Sequence, residues 1–202
     1  QDEAFDSLAT HHFQLYQRAK ENNDFDNLFF EGLLTEDLMF YSGDTLSSKT
    51  VLTHLIEVSR SPQYNYLEPT FLLHMSNYHT NRGNEKEGLI YINLAEQSAR
   101  RNQRFIALAF ILKTKAAVYE LDWSMTKSIL LESIDLAKKY GLELLEVEGL
   151  VWFGRFCPDL GLGEQYLAEA EKIAKEMQSI QLLAYIKYFM AMIAYEKEPQ
   201  DD

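Results

Sequence analysis

A chain of 202 residues with 47% hydrophobic content is long enough to bury a sizeable core, and its formal net charge of −12 excludes a general nucleic-acid binder, which needs a basic face for phosphate contact. The single cysteine, Cys157, excludes an internal disulfide and every multi-cysteine metal motif, which is the usage expected of a reducing, cytoplasmic setting. The longest apolar run is far short of a bilayer span, and residues 1 to 20 lack the basic start and apolar block of a signal peptide.

Taken in order, residues 3 to 21 place Phe5, Leu8, His12, Leu15, Tyr16 and Ala19 on one helical face, and Asn22-Asn23 ends that helix. A second helix is expected from a cap at Asp26 or Asn27 through Phe30, Leu34, Leu38 and Tyr41, and a third from Ser47 or Ser48 through Val51, Leu52, Leu55 and Ile56. Ser42-Gly43-Asp44 turns between them. Ser61-Pro62-Gln63-Tyr64-Asn65 is a loop, because Pro62 pushes Ser61 out of helical geometry, and Pro69 then suits the first turn of a fourth helix. That helix reaches the turn Arg82-Gly83-Asn84 and is followed by an amphipathic fifth helix. Residues 104 to 121 are apolar on most sides, as a helix with neighbours on both flanks should be. The helix after Asp122-Trp123 stops at Gly141, a further pair covers residues 142 to 178, and residues 180 to 196 form a tenth helix before Pro199 and an acidic tail.

The spacing Leu72, Met75, Ser76, His79, Gly83, Gly88, Ile92, Ala95 resembles a tetratricopeptide repeat, in which large and small residues alternate so that two helices pack closely. The stretch Ser133 to Gly141 matches Ala95 to Gln103 at an offset of thirty-eight, and Ala170 follows Ser133 by thirty-seven. Leu150-x-x-Phe153-Gly154-x-x-Cys157-x-x-x-Gly161 is close to the first-helix signature once more. Departures are Leu121 or Asp122 at the turn of the third unit, Pro158 at that of the fourth, and Lys113 or Lys115 near a packing position. The resemblance implies an all-α, right-handed superhelix of helical hairpins, an α-solenoid of about ten helices. Residues 1–202 are expected to form one domain: an N-terminal helix over 1–25, about four hairpins over 26–178, and a C-terminal helix with an acidic tail over 179–202. Units slightly longer than thirty-four residues also resemble the regulatory arms of bacterial transcription regulators. Gln1 is not an initiator, which fits a segment of something larger.

Catalytic chemistry finds little support in the residues. His11 and His12 point about 100° apart on a helix, His74 and His79 are five apart, and no HExxH, calcium loop or phosphate-cradling glycine loop is present. No catalytic residue, metal ligand or cofactor is therefore expected, and an all-helical hydrolase is only an alternative. The resemblance implies instead a groove lined by first helices, which places Asn77, Thr80 and Asn81 on a ligand-binding surface; Lys115, or Lys113, of the next helix either adds charge there or forms a structural salt bridge. An amide suits that role because it donates and accepts at once, pairing both groups of a peptide backbone. The expected partner is a protein or peptide, with no membrane and no direct nucleic-acid contact, and the expected role is an interaction or sensing module of a regulator rather than an enzyme. A second alternative is homo-oligomerisation, a homodimer included, through Leu183, Ile186, Phe189, Met190 and Ile193 of the last helix.

Overall fold

A computed structural model describes residues 3–118 and 122–197, with side chains from Asp6 onward. Among these residues the chain is all-helical: α1 (Glu3–Glu21), α2 (Phe25–Ser42), α3 (Thr45–Ser59), α4 (Glu68–Thr80), α5 (Glu85–Arg101), α6 (Phe105–Val118), α7 (Trp123–Tyr140), α8 (Glu143–Phe156), α9 (Leu160–Glu176) and α10 (Ile180–Lys197). Phe5, Leu121, Pro199 and the acidic tail lie outside the side chains described.

Among the described residues six helix ends are followed by a residue with positive φ, namely Asn23, Gly43, Gly83, Gln103, Gly141 and Gln178, whereas α3 and α8 end without one. Directly after Asn23 and Gly43 an aspartate opens the next helix, and aspartates open α7 and α9 as well. Asp24, Asp44, Asp122 and Asp159 each accept a hydrogen bond from the backbone N–H three residues on, at 3.4, 3.1, 3.1 and 3.0 Å. Two starts therefore lie earlier than the sequence suggested. The cap of α2 is Asp24, not Asp26 or Asn27, and α3 begins at Thr45 behind Asp44. Once the left-handed residue has reversed the chain, the next short acceptor caps the helix without further spacing.

The chain divides into two compact units, residues 1–103 and 104–202, in each of which helices pack on their neighbours in sequence. In the first unit the burial pattern repeats at an interval of forty. Gly32, Thr35, Glu36, Met39, Ser48, Leu52 and Leu55 are buried, and so are Leu72, Met75, Ser76, His79, Gly88, Ile92 and Ala95. The second set contains the large and small residues that carry the repeat resemblance, apart from the turn at Gly83. Small residues at the crossings let the helices of a pair approach: the Ser76 hydroxyl donates to the Gly88 carbonyl at 2.9 Å, and a Cβ on Gly32 would stand 2.8 Å from Leu55. In the second unit Thr126, Leu130, Ser133 and Ala137 of α7 are buried as Gly163, Leu167, Ala170 and Ala174 of α9 are, thirty-seven residues on. There the Ser133 hydroxyl donates to the Ala109 carbonyl at 2.8 Å, and Gly154 and Gly163 bring α8 and α9 together backbone to backbone.

One buried pair in the first unit gives a pH test of the packing. Tyr16, 2% exposed, donates its hydroxyl to Nδ1 of His54 at 2.6 Å, and burial pushes its own pKa up to about 12. Burial pushes His54 down, with the charge of Lys20 acting in the same direction, which keeps the imidazole an acceptor. Because the folded pKa of Tyr16 lies above the unfolded value of about 10, its contribution to stability is complete below about pH 10 and is lost as pH rises through about 12. Tyr16→Phe should therefore lose less stability than the parent between about pH 9 and about pH 11.5 in urea melts. Equal losses would contradict the burial of this hydroxyl.

Candidate functional site

In the first unit α2 and α4 lie side by side and parallel. Phe29 meets Phe71 with ring centroids 5.5 Å apart, Glu36 meets His74, and Phe40 meets Tyr78 at 5.8 Å, so both partners advance together along the chain. Beyond the first turn of α2, each helix leaves one strip outward, and its other residues are buried or half-buried. On α2 the exposed strip carries Phe30, Asp37 and Tyr41, spaced seven and four residues apart on one face. On α4 it carries Asn77, with Thr80 and His74 half-buried beside it, and Asn81, the C-cap residue, is exposed just beyond the helix. Asn77 and Asn81 are one turn apart, and the Thr80 hydroxyl donates back to the Ser76 carbonyl at 3.0 Å. Lys115 belongs to the second unit, half-buried on α6, while Lys113 pairs with Glu148 at 2.8 Å.

A polar group that joins α2 to α4 is centred on Glu36. This carboxylate is 4% exposed and accepts from Nδ1 of His74 at 3.0 Å and from the Ser48 hydroxyl at 3.4 Å. Burial raises the Glu36 pKa, and the hydrogen bond and charge of His74 pull it part of the way back. Burial alone would lower His74, but its hydrogen bond to Glu36 and the charges of Glu36 and Asp37 outweigh that and hold the imidazole above its ordinary value. The exposed carboxylate of Asp37 completes the group. One ligand-type atom from each of Glu36, Asp37 and His74 falls within 4.8 Å of the others.

Sequence reasoning missed this group because it compared His74 only with His79, a local neighbour. The signal that finds it is a contact offset close to the forty-residue repeat: Glu36 and His74 are thirty-eight residues apart, as are Tyr16 and His54, and Phe40 and Tyr78. His79 is a packing residue. It is 7% exposed, stacks on Tyr91 with rings 5.2 Å apart, and neither ring nitrogen has a hydrogen-bond partner, so burial lowers its pKa and keeps it neutral.

A second polar concavity of the first unit, about 330 Å³, is ringed by Arg60, Asn65, Glu68, Arg101 and Asn102. Its polar groups answer one another. Glu68 accepts from the Ser98 hydroxyl and from Arg101 at 2.7 Å, Arg60 stands 3.6 Å away, and Asn102 donates to the Asn65 carbonyl at 2.9 Å. This network ties the loop after α3 to the end of α5.

The last helix differs from the expectation. Ile186, Phe189 and Ile193 are 0%, 5% and 5% exposed and lie within the core of the second unit, where Leu183 and Met190 pack partly buried. Ile186, Phe189 and Ile193 thus face inward, and the apolar surface that α10 leaves open is a separate stripe of Ile180, Tyr188, Met192 and Tyr195, 81%, 61%, 40% and 65% exposed. Among the described residues no helix is long and apolar enough to cross a membrane. No family model matches the chain, and no curated protein matches it.

Proposed function

We propose that this chain is a non-catalytic, tetratricopeptide-like scaffold that holds a peptide or protein segment along the α2 and α4 strips of its first unit, as an interaction or sensing module of a larger regulator. The observation that carries the reading is the pair of exposed amides one turn apart, Asn77 on α4 and Asn81 at its C-cap, on a helix whose remaining residues are buried or half-buried. They stand beside a parallel helix that presents Phe30, Asp37 and Tyr41. Amides at that spacing pair with successive groups of a ligand backbone, and exposed aromatic side chains supply apolar contact area. The net charge of −12 supports a protein or peptide ligand over a nucleic acid.

The test is selection of peptides from a random display library on the purified chain, followed by calorimetry. Asn77→Ala and Asn81→Ala should each weaken an enriched peptide by roughly 1–3 kcal/mol, the cost of leaving a buried amide partner unmade, with far-UV circular dichroism unchanged. Failure to enrich any sequence, or equal affinities for parent and both variants, would remove these residues from the site.

Self-association is the second reading, favoured by the exposed stripe on α10, since apolar surface of this kind marks interfaces. It predicts a mass by light scattering that rises with concentration and is reduced to the monomer by Tyr188→Glu. A monomer at every concentration would dismiss it.

A further inference from the structure

We propose that Glu36, Asp37 and His74 form a binding site for a first-row divalent transition-metal ion of the zinc class. This inference stands independently of the peptide reading, because it rests on the geometry of three side chains and is tested with the metal alone.

Three observations converge. Ligand-type atoms from two helices are gathered within 4.8 Å of one another, although the sequence separates them by thirty-seven and thirty-eight residues. Glu36 Oε2 and His74 Nδ1 are 3.0 Å apart, so an ion at about 2.1 Å from each, the usual bond length to nitrogen or carboxylate oxygen, would subtend close to a right angle between them. A widening of a few tenths of an ångström would give the tetrahedral angle. Finally, Glu36 already has an outer partner: the Ser48 hydroxyl donates to Oε1, the oxygen that faces away from His74, and so orients the carboxylate as outer-shell groups do in metal sites.

The donor set selects the class of ion. An imidazole nitrogen with two carboxylates suits zinc, cobalt or nickel, whereas calcium takes six to eight oxygens and magnesium keeps most of its waters. Two carboxylates neutralise a divalent charge. Nδ1 of His74 must present its lone pair to the ion, with the ring proton on Nε2, and the exposed side chain of Asp37 turns in to close the site, since two ligand atoms about 2.1 Å from one ion stand at most about 4.2 Å apart. The remaining coordination positions go to water or to a group from a bound ligand.

The experiment is calorimetric titration of the tag-free, chelator-treated full chain with Zn²⁺, repeated with Co²⁺ while the visible spectrum is recorded. One equivalent should bind, and His74→Ala and Asp37→Asn should each weaken it at least about tenfold. Because Asp37 is exposed, Asp37→Asn keeps the fold and decides the matter even if His74→Ala unfolds. His11→Gln serves as the control and should leave the affinity unchanged. Absence of binding, or binding and a Co²⁺ spectrum that persist unaltered in Asp37→Asn, would overturn the site, and neither result bears on whether Asn77 and Asn81 hold a peptide.

Discussion

Gly163→Val is expected to destabilise the second unit by roughly 3 kcal/mol, the upper end of the range for overpacking a tight contact. A Cβ at Gly163 would stand 2.8 Å from the backbone oxygen of Gly154 and 3.3 Å from Cδ1 of Ile193, and the first of these neighbours is main chain that cannot turn aside. The helices would have to separate, which also loosens Leu167 and Ile193. Gly161, two residues earlier in the same helix, is the internal control. Its added Cβ would meet only the Asp159 side chain, at 3.3 Å, so Gly161→Ala should change stability by no more than about 0.5 kcal/mol, because the helical gain over glycine offsets the adjustment. Both tryptophans, Trp123 and Trp152, lie in the second unit, so their fluorescence in urea reports on it directly. A parent-like midpoint for Gly163→Val would mean that α8 and α9 do not cross at these glycines.

A larger loss is expected for Phe153→Ala, about 3–5 kcal/mol. Phe153 is fully buried, stacks on Tyr166 with ring centroids 3.8 Å apart and receives the edge of Trp123 at 5.1 Å. Truncation removes both ring contacts and leaves a cavity where α7, α8 and α9 converge, in a region whose close glycine contact limits collapse. A cost below about 1 kcal/mol would place Phe153 outside the core, since a loss that small is typical of substitutions at partly exposed sites.

The fold was readable where local chemistry and the repeat agreed. Gly43, Gly83 and Gly141 carry positive φ and end helices as a glycine at that position predicts, and Ser76, Gly88 and Ala95 are buried where two helices of a pair must approach. The last helix was legible in extent but not in orientation. With Leu182, Leu183, Ile186, Phe189, Met190, Met192 and Ile193 spread around it, periodicity does not say which stripe faces inward. The aliphatic and phenylalanine stripe went in, and Tyr188 and Tyr195 stayed out with their hydroxyls toward water. At the candidate site, Asn77, Thr80 and Asn81 follow from the repeat resemblance once Gly83 is taken as the turn. Glu36 and Asp37 were not, because their relation to His74 exists only after a hairpin has been folded between them.

The α2 and α4 binding face is tested most directly by titrating the isotope-labelled chain with a library-selected peptide and following its backbone amides by two-dimensional NMR. The amides of Phe30, Asp37, Tyr41, Asn77 and Asn81 are expected to shift first and saturate together, with α10 unmoved. Shifts confined to α10, or to any surface that leaves Asn77 and Asn81 in place at saturation, would contradict it.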